Sequence, residues 1–165
     1  MSYAKLNIVA GVDLALGVKN SSDYTACIIM GRSPSGQVYI LDAQRIQEPF
    51  HQVLLFIQQM ANKWRPSVIA IEQVQYQAAV VQELLRTTTL PVIGVRPDKD
   101  KLTRFLPLLA RYEQSMVCHA IGLASWFEDE LLMFPMGEHD DGVDAAAYAF
   151  SAIPPDHLYQ FAGGL

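Results

Sequence analysis

Apolar and polar positions change period along this chain, and the changes divide it into strands and helices. Leu6 to Ala15, with Ile8, Val9 and Val12 and little charge, predicts a buried strand that Asp13 interrupts near its C-terminal end. Leu16 to Ser22, with Gly17, Asn20 and two serines, reads as a loop. Tyr24 to Met30 predicts a second strand, Gly31 to Gly36 (GRSPSG) a turn, and Val38 to Leu41 a third strand. A short Gly/Pro/Ser connection makes the last two a hairpin, so the first three strands form an antiparallel meander.

The period then becomes helical. Val53, Leu54, Ile57, Met60 and Ala61 recur along Phe50 to Trp64, and the pattern stops before Pro66. Ser67 to Glu72 (SVIAIE) predicts a short strand ending in a carboxylate, Ala78 to Thr88 a helix, and Pro91 to Val95 a fifth strand. Lys99 to Ser115 reads as a helix that Pro107 kinks or truly begins. Ser125 to Met133 and Asp140 to Ala152 complete the set, and Pro154-Pro155 ends the last helix. The expected fold class is α/β: a mixed five-stranded sheet, three antiparallel strands and then parallel ones, with helices on both faces. Residues 1–155 are expected to form one domain and 156–165, ending AGGL, a frayed tail.

Composition narrows the function classes. At 165 residues and 51% apolar content the chain can build a full core. A net charge of −5 rules out a surface that is basic throughout, although a metal-dependent nuclease concentrates acid in its cleft. No Gly-rich phosphate loop is present, so nucleotide hydrolysis has no machinery here. Cys27 and Cys118 lie in apolar runs without ligand spacing, and both are expected to be buried thiols. No apolar run approaches the ~20 residues of a membrane span, and the start MSYAKLNIVAGVDLA lacks the pattern of a signal peptide. A soluble intracellular protein is the expectation.

Acidic residues in unusual settings carry the candidate chemistry. Asp13 lies inside an apolar strand and Glu72 ends another; a charge in a core strand is costly unless it is paired or binds metal. The segment HDDGVDAAAYAF places Asp140, Asp141 and Asp144 in the opening turns of an alanine-rich helix, with His139 beside them. The helix dipole favours acids there, but three exceed what capping needs. If the first and fourth strands are neighbours, Asp13 and Glu72 converge, and the last helix adds its carboxylate. At ~100° per residue Asp140 and Asp144 share a face, with Val143, Ala147 and Phe150 marking the packed side. Asp140 then lies nearest that side as a buried or capping acid, Asp141 points toward a cleft, and Asp144 supports it. The spacing leaves open which of the three touches metal. Plainer roles compete: Asp13 as a structural acid, Glu72 as a solvated strand end, His139 as a loop residue, and Lys99, Lys101 and Arg104 as a solvated helix start.

The motifs GVDLA, SDYTA, IAIE and FPMGEHDDGVDAAAYA together resemble the nuclease domain of bacteriophage terminase large subunits, from about Ile8 to Phe150. The resemblance implies the ribonuclease-H-like fold, shared with integrases and junction resolvases. It implies a two-metal endonuclease, using Mg²⁺ or Mn²⁺, that cuts concatemeric viral DNA at the start and end of packaging. Carried over, Asp13 is the first-strand ligand, Glu72 the fourth-strand ligand and Asp141 the helix ligand. Asp140, Asp144 and His139 stand as further candidates, and Asp23 is a second-strand acid matching the pattern. Lys99, Lys101, Arg104 and Tyr76 are candidate DNA contacts, and the resemblance equally allows the three basic residues to balance the acidic site. Implied partners are double-stranded DNA, a terminase ATPase domain or small subunit, and a portal; the implied location is the host cytoplasm. The family's ATPase domain has no counterpart in this sequence, so translocation is not expected of it. A Holliday-junction resolvase, a ribonuclease for RNA–DNA hybrids and a non-catalytic docking domain are the alternatives.

Overall fold

A computed structural model describes residues 5–15, 24–74 and 77–154. Asp23, Tyr76 and the expected tail lie outside the described residues. In chain order the elements are β1 (Asn7–Asp13), β2 (Thr25–Arg32), β3 (Val38–Ile46), α1 (Phe50–Trp64), β4 (Val68–Glu72), α2 (Ala78–Thr87), β5 (Val92–Val95), α3 (Lys101–Glu113), β6 (Val117–His119), α4 (Ser125–Met133) and α5 (Asp141–Ser151).

The strands form one mixed sheet in the order β5-β4-β1-β2-β3-β6. β1, β2 and β3 pair antiparallel as a meander, and β4 runs parallel beside β1. β5 and β6 extend the two edges in parallel pairings. The sheet therefore has six strands rather than the expected five. β6 shows no alternation in the sequence because it has only three residues, half-buried Val117 and His119 and exposed Cys118. The same edge position leaves Cys118 exposed, against the expectation of burial, while Cys27 in β2 is buried.

β3 runs past Leu41 because a bulge restores its pairing. Ile29 pairs with Asp42 and Met30 with Ile40, so Leu41 is the extra residue. The phase shift turns Asp42 toward α1, where it accepts bonds from Lys63 Nζ at 2.7 Å and Trp64 Nε1 at 2.8 Å. α3 starts at Lys101, two residues later than expected. Asp100 caps it by accepting the Thr103 N–H at 2.9 Å, and Pro107 lies within the helix.

Helices cover both faces of the sheet. On one, Ala10, Val12, Ile29, Ile69 and Ile71 meet Val53 and Ile57 of α1 and Val80 and Leu84 of α2. On the other, Val9, Ala26, Ile28 and Met30 meet Phe105 of α3, Phe127 of α4 and the alanines of α5. The period of two in β1 and β4 thus assigns Gly11 and Asp13, and likewise Ala70 and Glu72, to the α5 face. At Gly11 the approach is so close that an added Cβ would overlap Ala145 O and Ala149 N of α5. Among the described residues, no helix is long and apolar enough to cross a membrane.

Candidate metal centre

Asp13 and Glu72 come together because β1 and β4 are parallel neighbours. Val12 lies opposite Ile71, so the next residue on each strand is the acid, at the same edge and on the same face. α5 crosses that face with its first turn beside the two strand ends. The resulting cleft is lined by Asp13, Glu72, Asp140, Asp141 and Asp144, with Lys99, Lys101 and Arg104 on the α3 side. Sequence-predicted residues from four elements and their flanks therefore share one cleft.

Its electrostatics are dominated by crowded carboxylates. Asp13 is buried, and burial pushes its carboxyl well above the ordinary 3.8; a hydrogen bond to Glu72 and the charges of Glu72, Asp144 and Asp141 act in the same direction. Glu72 Oε1 accepts the Tyr148 hydroxyl at 2.9 Å. Asp141 Oδ2 accepts the Tyr24 N–H at 3.1 Å. Lys101 Nζ lies 2.7 Å from Asp140 Oδ1 and 3.1 Å from Asp144 Oδ2, and Arg104 lies 2.8 Å from Asp144 Oδ1. Burial works against the Lys101 charge, but Asp140 and Asp144 outweigh it and hold the ammonium above its usual range.

The helix start differs from its helical-wheel reading in one respect. Asp140 is neither buried nor a capping acid: its side chain keeps 32% exposure and makes no cap bond, whereas Asp141 and Asp144 are buried. Asp140 precedes the helix, with non-helical backbone at φ −141° and ψ 12°, so the wheel does not extend to it; nor has α5 a single packed side. Every residue from Asp141 to Ala149 is buried, between the sheet on one side and α3 and α4 on the others. The shared face of Asp140 and Asp144 does appear, since Lys101 reaches both. His139 is not among the residues lining the cleft. Its ring packs edge-on to Tyr24 at 5.8 Å, and its buried Nδ1 has no hydrogen-bond partner.

Three supporting residues had not been singled out. Glu130 of α4, itself buried, accepts the Gly142 N–H at 2.8 Å and pairs with Arg45 at 3.1 Å. The Arg45 guanidinium lies 4.2 Å from the Tyr24 ring centroid and 4.6 Å from that of Trp126. Nothing in the local sequence marks Glu130 or Arg45. Tyr148 could have been found, because it lies four residues after Asp144 and seven after Asp141, on the same helix face.

The all-oxygen donor set suits a hard divalent cation in chemistry. The crowding of Asp13, Glu72, Asp141 and Asp144 in one cleft points the same way, since their negative charges lie close together. Among the described residues, no three His, Cys, Asp or Glu side chains already stand as a metal cage. The acids instead lie in two sets, Asp13 bonded to Glu72 and Asp140 with Asp144 held by Lys101. A cation bound between the two sets would gather them.

The fold has relatives among solved structures. The large terminase nuclease from thermophilic phage G20c with bound zinc superposes with a TM-score of 0.70 at 16% identity, over 89% of this chain and 81% of that one. The yeast mitochondrial Holliday junction resolvase Ydc2 gives 0.55 at 15% identity, over 86% and 76%. T. thermophilus RuvC in complex with Holliday junction substrate gives 0.52 at 15% identity, over 94% and 96%. At these identities the likeness is one of fold. No curated protein sequence matches the chain. The terminase RNaseH-like domain family does match, over residues 10–152, which span the sheet from β1 to the end of α5; the chain belongs to that family.

Proposed function

We propose that this chain is a metal-dependent DNA endonuclease that cuts concatemeric viral DNA during genome packaging, in the host cytoplasm. The observation that carries the reading is the convergence of Asp13 and Glu72 on the acidic start of α5, with the Asp13 carboxyl driven toward its protonated form. Asp13, Glu72 and Asp141 would hold two divalent cations, Mg²⁺ or Mn²⁺. The bound zinc of the G20c nuclease structure supports a divalent ion in this fold. When bound, such ions would supply Lewis-acid activation of water and charge stabilisation for the leaving oxygen.

The chain's own groups supply the rest. Asp13 would serve as a ligand in its ionised form. Lys101 and Arg104 keep Asp140 and Asp144 in place from the α3 side. Lys99, exposed at the cleft wall, meets the DNA backbone, where contacts fix position rather than read sequence. Residues 1–155 would act as the nuclease unit beside an ATPase domain or small subunit and a portal.

Nicking of supercoiled plasmid in Mn²⁺ tests the reading. The wild type is expected to nick and Asp13→Asn to lose nicking while keeping its fold by circular dichroism. Unimpaired cleavage by Asp13→Asn overturns the site. Linear duplex, a four-way junction and an RNA–DNA hybrid run in parallel define the substrate; preference for either of the last two overturns the packaging role.

A further inference from the structure

Tyr148 is the one α5 side chain beyond the aspartates whose polar atom reaches a strand-end acid. It is 2% exposed, and its hydroxyl donates to Glu72 Oε1 at 2.9 Å. Its ring also lies 5.3 Å from the Arg104 guanidinium, which bonds Asp144 at 2.8 Å. One aromatic side chain thereby touches the β4 acid and the partner of an α5 acid. Glu72 ends its strand and is half-buried, so β4 alone leaves its carboxylate several rotamers.

We propose that Tyr148 is a positioning residue for divalent-cation binding: its hydroxyl bond to Oε1 fixes the Glu72 carboxylate beside Asp13. The inference rests on the endonuclease reading of the same cleft. A hydroxyl suits the task better than a cation. It donates one hydrogen bond to an acceptor that must keep its negative charge, and it adds no positive charge to compete with the ion. The buried ring also defines where the donor stands, since a tyrosine has only two rotatable bonds before the hydroxyl.

Tyr148→Phe removes the oxygen and keeps the ring. Calorimetric titration of the DNA-free protein with MnCl₂ is expected to show affinity about tenfold weaker than wild type, within the range typical for loss of a group that orients a metal ligand. The Mn²⁺ concentration giving half-maximal plasmid nicking rises in parallel, so the loss falls on metal dependence rather than on the rate at saturating Mn²⁺. In a Glu72→Gln background the same substitution adds no further loss of affinity. Equal Mn²⁺ affinity of wild type and Tyr148→Phe overturns the proposal and leaves the endonuclease reading standing. An equal loss in both backgrounds also overturns it, because it reveals a role in packing alone. A wild type that neither binds Mn²⁺ nor nicks DNA overturns the endonuclease reading itself.

Discussion

Glu130 on α4 accepts the backbone N–H of Gly142 on α5 at 2.8 Å, one residue beyond Asp141. The same carboxylate pairs with Arg45, so α4 ties the helix start to β3. Glu130→Ala removes the acceptor that serves both the Gly142 N–H and Arg45 and should cost about 2–4 kcal/mol. Glu130→Gln keeps an oxygen for Gly142 and loses only the charge, at about 1 kcal/mol. Urea denaturation of the two variants measures the difference; equal losses would show that the Gly142 bond contributes nothing.

Asp13 makes the metal-free protein sensitive to pH. Its folded carboxyl lies well above the ordinary value, chiefly through burial and then through Glu72, Asp144 and Asp141. Below about pH 4 both folded and unfolded states are protonated and its full contribution to stability is present. As pH rises through the folded value, the unfolded state has already released its proton and stability is lost. In EDTA, Tm should therefore fall with rising pH, and Asp13→Asn should flatten that slope. At neutral pH the asparagine variant should melt higher, by about 2–4 °C for each kcal/mol relieved. A wild-type melting curve independent of pH in this range would refute the argument.

Gly11 sets the distance between β1 and α5. A Cβ there meets the backbone atoms Ala145 O and Ala149 N, neither of which can swing aside. Gly11→Ala should destabilise by about 3 kcal/mol, at the upper end of overpacking costs. At Gly142 the obstacles are side-chain atoms, Trp126 Cζ3 at 2.6 Å, Glu130 Oε2 at 2.8 Å and Phe127 Cδ2 at 2.9 Å, so Gly142→Ala should cost less. Chemical denaturation orders the pair; the reverse order would contradict this packing.

The two thiols should behave oppositely. Burial, with a smaller contribution from Asp42, pushes Cys27 up to about 12, whereas Cys118 is exposed on the edge strand. A chromogenic disulfide reagent is expected to titrate Cys118 alone in the native protein and both thiols after denaturation. Rapid native labelling of Cys27 would be inconsistent with the packed sheet.

Asp13 and Glu72 were legible in the sequence because each breaks an apolar strand run, and the strand order made their elements neighbours. The basic group was legible, and balancing the acidic site was one of its implied roles, but the pairing itself was not: only the packing of α3 against α5 shows Lys101 spanning Asp140 and Asp144. A helical wheel misplaced Asp140 because that residue stands just before α5 with non-helical backbone, where the wheel's angles do not hold. β6 and the exposure of Cys118 were lost together, since a three-residue edge strand leaves too little pattern. Tyr148 was hidden for another reason. A tyrosine in an alanine-rich helix reads as packing, and its hydroxyl gains meaning only once β4 stands opposite.

The burial of α5 on every side has a dynamic consequence. Its backbone amides from Asp144 to Ala149 have no route to solvent by fraying, so their hydrogen exchange should require opening of the whole molecule. Acids carried on such a segment cannot be withdrawn by a small local motion. Control over them has to arrive from the open side of the cleft, through whatever approaches its mouth.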